Sequence, residues 1–285
     1  MTTHHEFDHR GGLAALNGPG PYVMGILNAT PDSFSDGGSW STVDRAVAHA
    51  ERMLGDGAHI IDIGGESSRP GADPVSIDAE LARVVPVIER LAGRCVMSID
   101  TAKPEVAAAA LEAGAHLIND ITARLETVAA VHDAGWMAMH MLGEPRTMQN
   151  DPQYDDVVGE ISLFLADAAA RGTARGVPHI WLDPGIGFGK TTKHNLELLR
   201  DLKKLTKVGA DNAIGADIAI GVSRKRFIGE LHAASDRSDV VEADDRLAGS
   251  VLAAVWAMRQ GAHVVRVHDV RSTAFAAKLA ARSQN

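Results

Sequence analysis

Asn28, Thr30, Asp32, Ser33, Ser35 and Asp36 fall within nine positions, with Phe34 set apolar among them. They belong to the stretch MGILNATPDSFSDGG (Met24–Gly38), directly after an apolar run from Val23 to Leu27. An ordinary turn needs one or two such residues and a glycine. A loop this rich in donors and acceptors, at the end of a buried strand, is suited to closing over a polar ligand.

The arrangement recurs along the chain, as short apolar runs give way to groups that can do chemistry. Asp62 is followed by GGESSRPG, and later runs end in Asp100, in Asn119 and Asp120, and in His140. Asp183 is followed by PGIGFGK. Ser223, Arg224 and Lys225 follow the next run, and Arg266, His268 and Asp269 the last. Taken singly, each has a plain structural alternative. Asp100 or Asp120 can cap a following helix, Lys225 and Arg224 can be solvated, and His140 can be a satisfied core histidine. Capping does not, however, call for charged groups at the end of every apolar run.

These groups sort by type. Arg69, Lys225, Arg266 and His268 supply positive charge, and glycine-rich loops supply backbone N–H groups, a set suited to an anionic leaving group such as pyrophosphate. Asn28 and nearby oxygens can hold Mg²⁺ together with phosphates, because that ion takes few protein ligands and keeps its waters. No His/Cys spacing supports a zinc site, and no Ser/His/Asp array or catalytic cysteine is evident. Asp100, Asn119 and Asp183 suit a buried, donor-rich heterocycle such as an aminopyrimidine or pterin. A carboxylate facing an N–H pair makes two strong hydrogen bonds, and a mismatched ring leaves a buried charge unpaired.

Such groups need a frame that brings them to one place. The apolar runs predict strands at Tyr22–Leu27, His59–Ile63, Cys95–Ile99, His116–Asn119, Trp136–His140, His179–Leu182, Asp217–Val222 and His263–Val267. Helical period predicts helices at Val43–Leu54, Asp78–Leu91, Pro104–Glu112, Leu125–Ala134, Val157–Ala170, Lys193–Leu205, Asp245–Arg259 and Ser272–Ala281. Gly57, Gly114, Gly135 and Gly261 read as helix ends. Eight strand–helix units predict a single (β/α)₈ TIM barrel, α/β in class, with its active site at the C-terminal ends of the strands. In such barrels phosphate often sits by the loops after strands seven and eight, where Lys225 and Arg266 fall. An open doubly wound sheet would carry GxGxxG after its first strand, and none is present. Residues 1–20 read as a flexible N-terminal arm and residues 21–285 as the barrel, with no low-complexity linker.

Bulk composition narrows the class further. Of 285 residues, 45% are hydrophobic and 23% charged, the balance of an ordinary soluble globular protein. With 28 Lys+Arg against 37 Asp+Glu the net charge is −9, which offers nucleic acid no general attraction. No apolar run approaches the roughly 18 residues of a membrane span, and the N-terminal MTTHHEFDHRGG has no apolar signal core. The chain reads as cytoplasmic. Cys95, the only cysteine, sits in the apolar run CVMSID as a small buried hydrophobe.

The ordered motifs resemble those of the dihydropteroate synthase family of bacterial folate synthesis, from about Tyr22 to Val270. MGILNATPDSFSDGG and IIDIGGESSRPGA (Ile60–Ala72) match its two long signatures. SIDT (Ser98–Thr101), IND (Ile118–Asp120), MHM (Met139–Met141), LDPGIGFGKT (Leu182–Thr191), SRKRF (Ser223–Phe227) and RVHDV (Arg266–Val270) follow in order. The resemblance implies condensation of 6-hydroxymethyl-7,8-dihydropterin pyrophosphate with p-aminobenzoate, giving 7,8-dihydropteroate and pyrophosphate. It implies Asn28 as the Mg²⁺ ligand and Asp100, Asn119 and Asp183 as pterin readers, with Met139 and Phe188 lining that pocket. It further implies that Lys225 reaches the ring, that Ser223 contacts p-aminobenzoate, and that Arg266 and His268 bind the anion. By the same resemblance Phe34, Asp36, Ser68, Arg69 and Pro70 would lie on two mobile loops of the p-aminobenzoate subsite, with Asp36, Arg69 and Lys225 as the catalytic set. Homodimerisation and a sulfonamide-binding subsite are implied by the resemblance alone. Three departures stand out: Ala29 in place of a bulkier aliphatic residue, a long KVGADNAIGADIA before strand seven, and an acidic insertion from Leu231 to Asp245. Two other readings are a methyltetrahydrofolate:corrinoid methyltransferase barrel and a pterin-binding paralogue without activity. The first has no pyrophosphate to hold, so the cations of SRKRF and RVHD argue against it.

Overall fold

Side chains alternate between the two faces of a strand, and here both faces are buried. Eight strands run parallel and close on themselves in chain order: β1 Tyr22–Asn28, β2 Ile60–Gly64, β3 Val96–Asp100, β4 Leu117–Asp120, β5 Gly135–Met139, β6 Ile180–Asp183, β7 Asp217–Gly221 and β8 Val264–Val267. The computed structural model describes residues 7–18, 20–30, 42–67, 73–211, 216–236 and 240–282. Every predicted strand forms, each end within one residue of its expected place.

Alternate residues divide the core in two. Val23, Leu27, Ile61, Ile63, Met97, Ile99, Ile118 and Trp136 point outward and pack beneath the helices. Tyr22, Met24, Ile60, Val96, Leu117, Met137, Trp181, Ala219 and Val264 point inward and fill the lower barrel as one cluster. This is a packed floor and no pore, as expected of eight strands.

Around the barrel run α1 Thr42–Gly55, α2 Ile77–Leu91, α3 Pro104–Glu112, α4 Glu126–Val131, α5 Val157–Arg175, α6 Thr192–Arg200, α7 Leu202–Asp211, α8 Arg226–Asp236, α9 Leu247–Arg259 and α10 Val270–Arg282. The helix α2 shows how sequence sets such an element. The Ser76 side chain accepts from the Ala79 N–H at 3.2 Å, Asp78 and Glu80 occupy the first turn, and Val84, Val87, Ile88 and Leu91 are buried at helical spacing.

Four expectations change. The single helix expected over Lys193–Leu205 is two, α6 and α7, parted at Asp201. The buried Leu198, Leu199, Leu202 and Leu205 keep helical period across the break, so hydrophobicity alone does not reveal it. Part of the segment read as an insertion is the helix α8, which begins in the SRKRF motif and buries Phe227 and Ile228; a 3₁₀ turn at Ala243–Arg246 then leads into α9. Gly135 ends no helix. It opens β5, where an added Cβ would lie 2.8 Å from Trp181 and 3.0 Å from Leu13, while Asp133 supplies the left-handed turn at φ 52°.

The fourth change concerns the N-terminus. Residues 7–18, expected to belong to a flexible arm, are folded against the barrel floor. A 3₁₀ turn at Gly12–Leu16 buries Leu16 completely among the inward-facing cluster. The Tyr22 hydroxyl donates to the Ala15 carbonyl at 3.2 Å and accepts from the Gly18 N–H at 3.0 Å, and the Phe7 ring meets Tyr22 and His59 edge-on. An apolar floor open to water would expose these side chains, and covering it recovers that hydrophobic free energy, about 2 kcal/mol for Leu16 alone.

Candidate active site

Counting by twos up each strand from the floor leads to the polar residues. On the inward face Ile60 is followed by Asp62, Val96 by Ser98 and Asp100, Leu117 by Asn119, Trp181 by Asp183, and Val264 by Arg266. Register then sets them side by side, Asp62 with Ser98, Asp100 with Asn119, Met139 with Asp183, and Gly221 with Arg266. All lie at the C-terminal half of the barrel.

Arg266 reaches across the centre. Its Nε donates to Asp62 Oδ2 at 2.6 Å and its Nη2 to Asp100 Oδ2 at 2.5 Å, while Asn119 Nδ2 donates to the same Asp62 oxygen at 3.0 Å. Asp62 is fully buried and is the hub that orients both neighbours. Beside it, Asp62 Oδ1 and Ser98 Oγ are buried with no partner among the described residues. Burial pushes the Asp100 carboxyl up to about 7 against the pull of Arg266. For Arg266 burial opposes the charge, but Asp62 and Asp100 more than offset it and hold the guanidinium firmly protonated. Burial also raises Asp183, whose Oδ1 accepts the Gly185 N–H at 2.7 Å. Burial, with help from Arg266, lowers Lys225 to about 8, and its Nζ stands 4.0 Å from the centre of the Phe188 ring.

Asp100, Asn119, Ile121, Met139, Asp183, Phe188, Gly221, Lys225 and Arg266 line a slot with about 20 Å³ left open. Above it lies a wide cavity of about 1020 Å³ that reaches Asn28, Glu66, Lys190, Ser223, Arg224, Arg246 and His268. Gly221 presents no side chain where the slot meets Arg266 and Asp183, each 3.9 Å from an added Cβ.

The glycine-rich loop after β6 is pinned from several sides. An Asn195 oxygen accepts the Gly187 N–H at 2.7 Å, and Tyr154 donates to the Gly189 carbonyl at 2.9 Å. Lys190, almost fully buried, donates to the Phe188 carbonyl and to His140 Nδ1, both at 3.0 Å. Burial lowers Lys190 to about 7 and His140 to about 3. Gly185 is at φ 67°, and an added Cβ would fall 1.8 Å from the His140 carbonyl oxygen, so only glycine fits.

At the other rim Ser223 Oγ accepts the His268 N–H at 3.1 Å and lies 3.1 Å from its Nδ1. Arg224, at φ 58°, grips Asp269 with Nε and Nη2 at 3.2 and 3.1 Å, and Arg246 donates to the Arg224 carbonyl at 2.9 Å. The loops after β7 and β8 are thereby tied together, with the segment before α9 as a third strut. On the β2 side, Lys103 bridges Glu66 and the buried Glu80, and Glu66 Oε1 accepts the Val75 N–H at 3.3 Å. One carboxylate thus joins the two ends of the stretch between Glu66 and Val75.

The structure brings Asp100, Asn119, Met139, Asp183, Phe188, Lys225 and Arg266 into one slot, with Asn28, Ser223 and His268 on the cavity above. Phe34, Asp36, Ser68, Arg69 and Pro70 lie outside the described residues. Asp120 faces outward and is structural. Its carboxylate accepts from the N–H groups of Thr122, Arg124 and Leu125 and from Trp136 Nε1. His140 is the satisfied core histidine of the plainer reading, and Arg224 is ion-paired. The hub role of Asp62 was readable from strand period, since it shares a face with Ile60; the roles of Lys190, Gly221 and Lys103 depend on contacts that no local pattern encodes.

Comparison with known proteins agrees with this architecture. Residues 24–268 match the family described as pterin binding enzyme. The dihydropteroate synthase of Escherichia coli K12 is 45% identical over 267 residues, covering 91% of this chain and 90% of its own. The Yersinia pestis dihydropteroate synthase, solved as a sulfonamide drug complex, superposes with a TM-score of 0.82 at 44% identity over 93% of this chain and 94% of its own. The Xanthomonas albilineans dihydropteroate synthase, solved with 4-aminobenzoic acid, gives 0.83 at 42% identity over 94% of each chain. The chain belongs to the family of pterin-binding enzymes, among the dihydropteroate synthases.

Proposed function

We infer that this barrel is a transferase that joins 6-hydroxymethyl-7,8-dihydropterin pyrophosphate to p-aminobenzoate, releasing pyrophosphate and 7,8-dihydropteroate. The observation that carries the reading is the inward polar layer, buried carboxylates and an amide on one side of a slot whose rim is cationic. Asp100, Asn119 and Asp183 hydrogen-bond the pterin edge, and Met139 and Phe188 pack against its faces. Lys225 donates to the ring from above Phe188. Arg266 and His268 receive the departing pyrophosphate at the rim, the side on which barrels commonly hold phosphate, and Ser223, hydrogen-bonded to His268, contacts p-aminobenzoate.

As the pyrophosphate leaves, positive charge develops at the pterin methylene carbon. Carboxylates fixed in a buried site favour that charge without reorganisation, so catalysis is electrostatic and positional. The arylamine attacks as the neutral base it already is at pH 7, and no strong general base is needed. Arg69, Asp36, Phe34, Ser68 and Pro70 belong in this reading to the arylamine subsite, where sulfonamides also bind, and Asp36 orients the amine or takes its proton once the C–N bond has formed. The donors around Asn28 fit Mg²⁺: its amide lines the wide cavity and makes no side-chain hydrogen bond among the described residues, and a hard cation needs only one or two such oxygens. When bound there with the phosphates, the ion supplies charge neutralisation to the leaving group.

Two further features complete the reading. The enzyme acts in the cytoplasm; no helix among the described residues is long and apolar enough to cross a membrane. It works as a homodimer through α9 and α10, which pack together and leave Leu252, Trp256, Phe275 and Leu279 exposed on the outside.

The test is to mix the purified chain with pterin pyrophosphate, p-aminobenzoate and Mg²⁺ and to measure pyrophosphate release. Release that needs both substrates supports the synthase. Tight pterin binding without release overturns it.

A further inference from the structure

The barrel floor carries a cluster unrelated to the slot. Each even-numbered strand is preceded by a histidine: His59, His116, His179 and His263. Two of them serve the sheet, with His59 Nδ1 accepting the Val23 N–H at 2.9 Å and His116 Nδ1 the Met97 N–H at 3.1 Å. The other two turn toward Asp217, the first residue of the strand between them. Asp217 Oδ2 lies 3.3 Å from His179 Nε2 and 3.4 Å from His263 Nδ1.

We propose that His179, Asp217 and His263 form a three-ligand site for a borderline divalent transition cation of the Zn²⁺ class, its fourth position open to water. The first argument is metric. A tetrahedral ion with ligands about 2.0–2.1 Å away sets them about 3.3–3.4 Å from one another, the spacing of both nitrogens from the carboxylate oxygen. The nitrogens and the oxygen all lie within 4.8 Å. The second argument is the tautomer. His263 Nε2 donates to the Gly18 carbonyl at 2.8 Å, which leaves the lone pair on Nδ1, and a metal-bound histidine is typically oriented by this kind of bond from its far nitrogen. The third is access, because the Asp217 side chain is 39% exposed while those of His179 and His263 are 14% and 9%. Imidazole and carboxylate suit Zn²⁺, Co²⁺ or Ni²⁺ far better than Mg²⁺.

Two contacts oppose the ion. His179 Nε2 now donates to Asp217 Oδ2 at 3.3 Å and His263 Nδ1 accepts from Trp181 Nε1 at 3.2 Å, and binding exchanges both bonds for the metal and releases the His179 proton. The exchange lowers affinity by about tenfold to a hundredfold relative to an uncommitted nitrogen. His179 stays in place throughout, stacked on Trp181 at 3.8 Å. The ion would clamp the starts of β6, β7 and β8, at the opposite end of the barrel from the slot.

The experiment titrates the full chain, stripped of metal, with Co²⁺ in the absence of substrate. The expected result is the intense visible spectrum of tetrahedral cobalt, abolished by Zn²⁺ and untouched by excess Mg²⁺. His179→Ala and Asp217→Asn should each weaken binding at least about 100-fold while synthase activity, measured as a check on folding, is retained. A chain with His4, His5 and His9 replaced by alanine should bind as before. A weak octahedral spectrum, a spectrum that survives both floor variants, or one lost with the N-terminal histidines overturns the proposal.

Discussion

The two ends of this barrel are built from the same strands and obey opposite rules. At the floor the inward positions are Met24, Ile60, Val96, Leu117 and Trp181, closed from below by Leu16. Two residues higher on the same faces stand Asp62, Ser98, Asn119 and Asp183, with Arg266 among them. The floor gains stability from apolar burial, whereas the upper layer gives some of it up by holding charges away from water. Stability and function are thus separated along the strand axis, over a distance of two residues.

The most severe test of this division is Leu16→Ala. Emptying a fully buried position should cost about 3 kcal/mol of unfolding free energy while kcat and KM of the folded enzyme stay unchanged; denaturant titration beside steady-state kinetics would show whether the floor communicates with the slot. Asp183→Asn should do the reverse. Its amide oxygen can still accept from Gly185, so stability should hold, while affinity for pterin pyrophosphate measured by calorimetry falls about 10- to 100-fold with the lost charge-assisted bonds. An unchanged affinity would remove Asp183 from the ring-reading set.

Lys225→Met probes the cost of the upper layer. The lysine stands near 10.5 when unfolded and about 8 when folded, so the native state gives up its proton first. Native stability should therefore rise as pH climbs from about 8 to 10.5, and below pH 8 the full cost is present. In Lys225→Met that rise should be absent and stability at pH 7 higher by about 1 kcal/mol, allowing for the partial exposure of the residue, with turnover lost. Equal pH slopes in thermal melts of the two proteins would contradict it. The mildest change is Gly221→Ala. With 3.9 Å to its nearest neighbours the methyl group fits, so melting should be unaltered, but KM for pterin pyrophosphate should rise a few-fold because the group projects into the slot.

Much of this division was readable in the chain. Strand positions follow from apolar runs, and period two separates Asn119, which faces in, from Asp120, which faces out to Trp136. What escaped was decided by contacts between distant segments. Residues 7–18 look like a polar arm until Leu16 meets the floor that Tyr22 and Met24 begin. Gly135 has the spacing of a helix end, but the reason for it is Trp181 on the next strand. His179, Asp217 and His263 come from three strand starts, and no local spacing announces them.

Arg266 carries a last consequence. In this structure its guanidinium is shared between Asp62 and Asp100, so the slot holds its cation against its own carboxylates. An anion that drew Arg266 away would leave two buried carboxylates without their cation, and a donor-rich ring that took Asp100 would leave the guanidinium short of a partner; either alone is penalised. A molecule carrying both a ring with N–H donors and an anionic tail repays each loss with the other. On this geometry the pocket should act as a coincidence detector, favouring a molecule that presents both features over one that presents either alone.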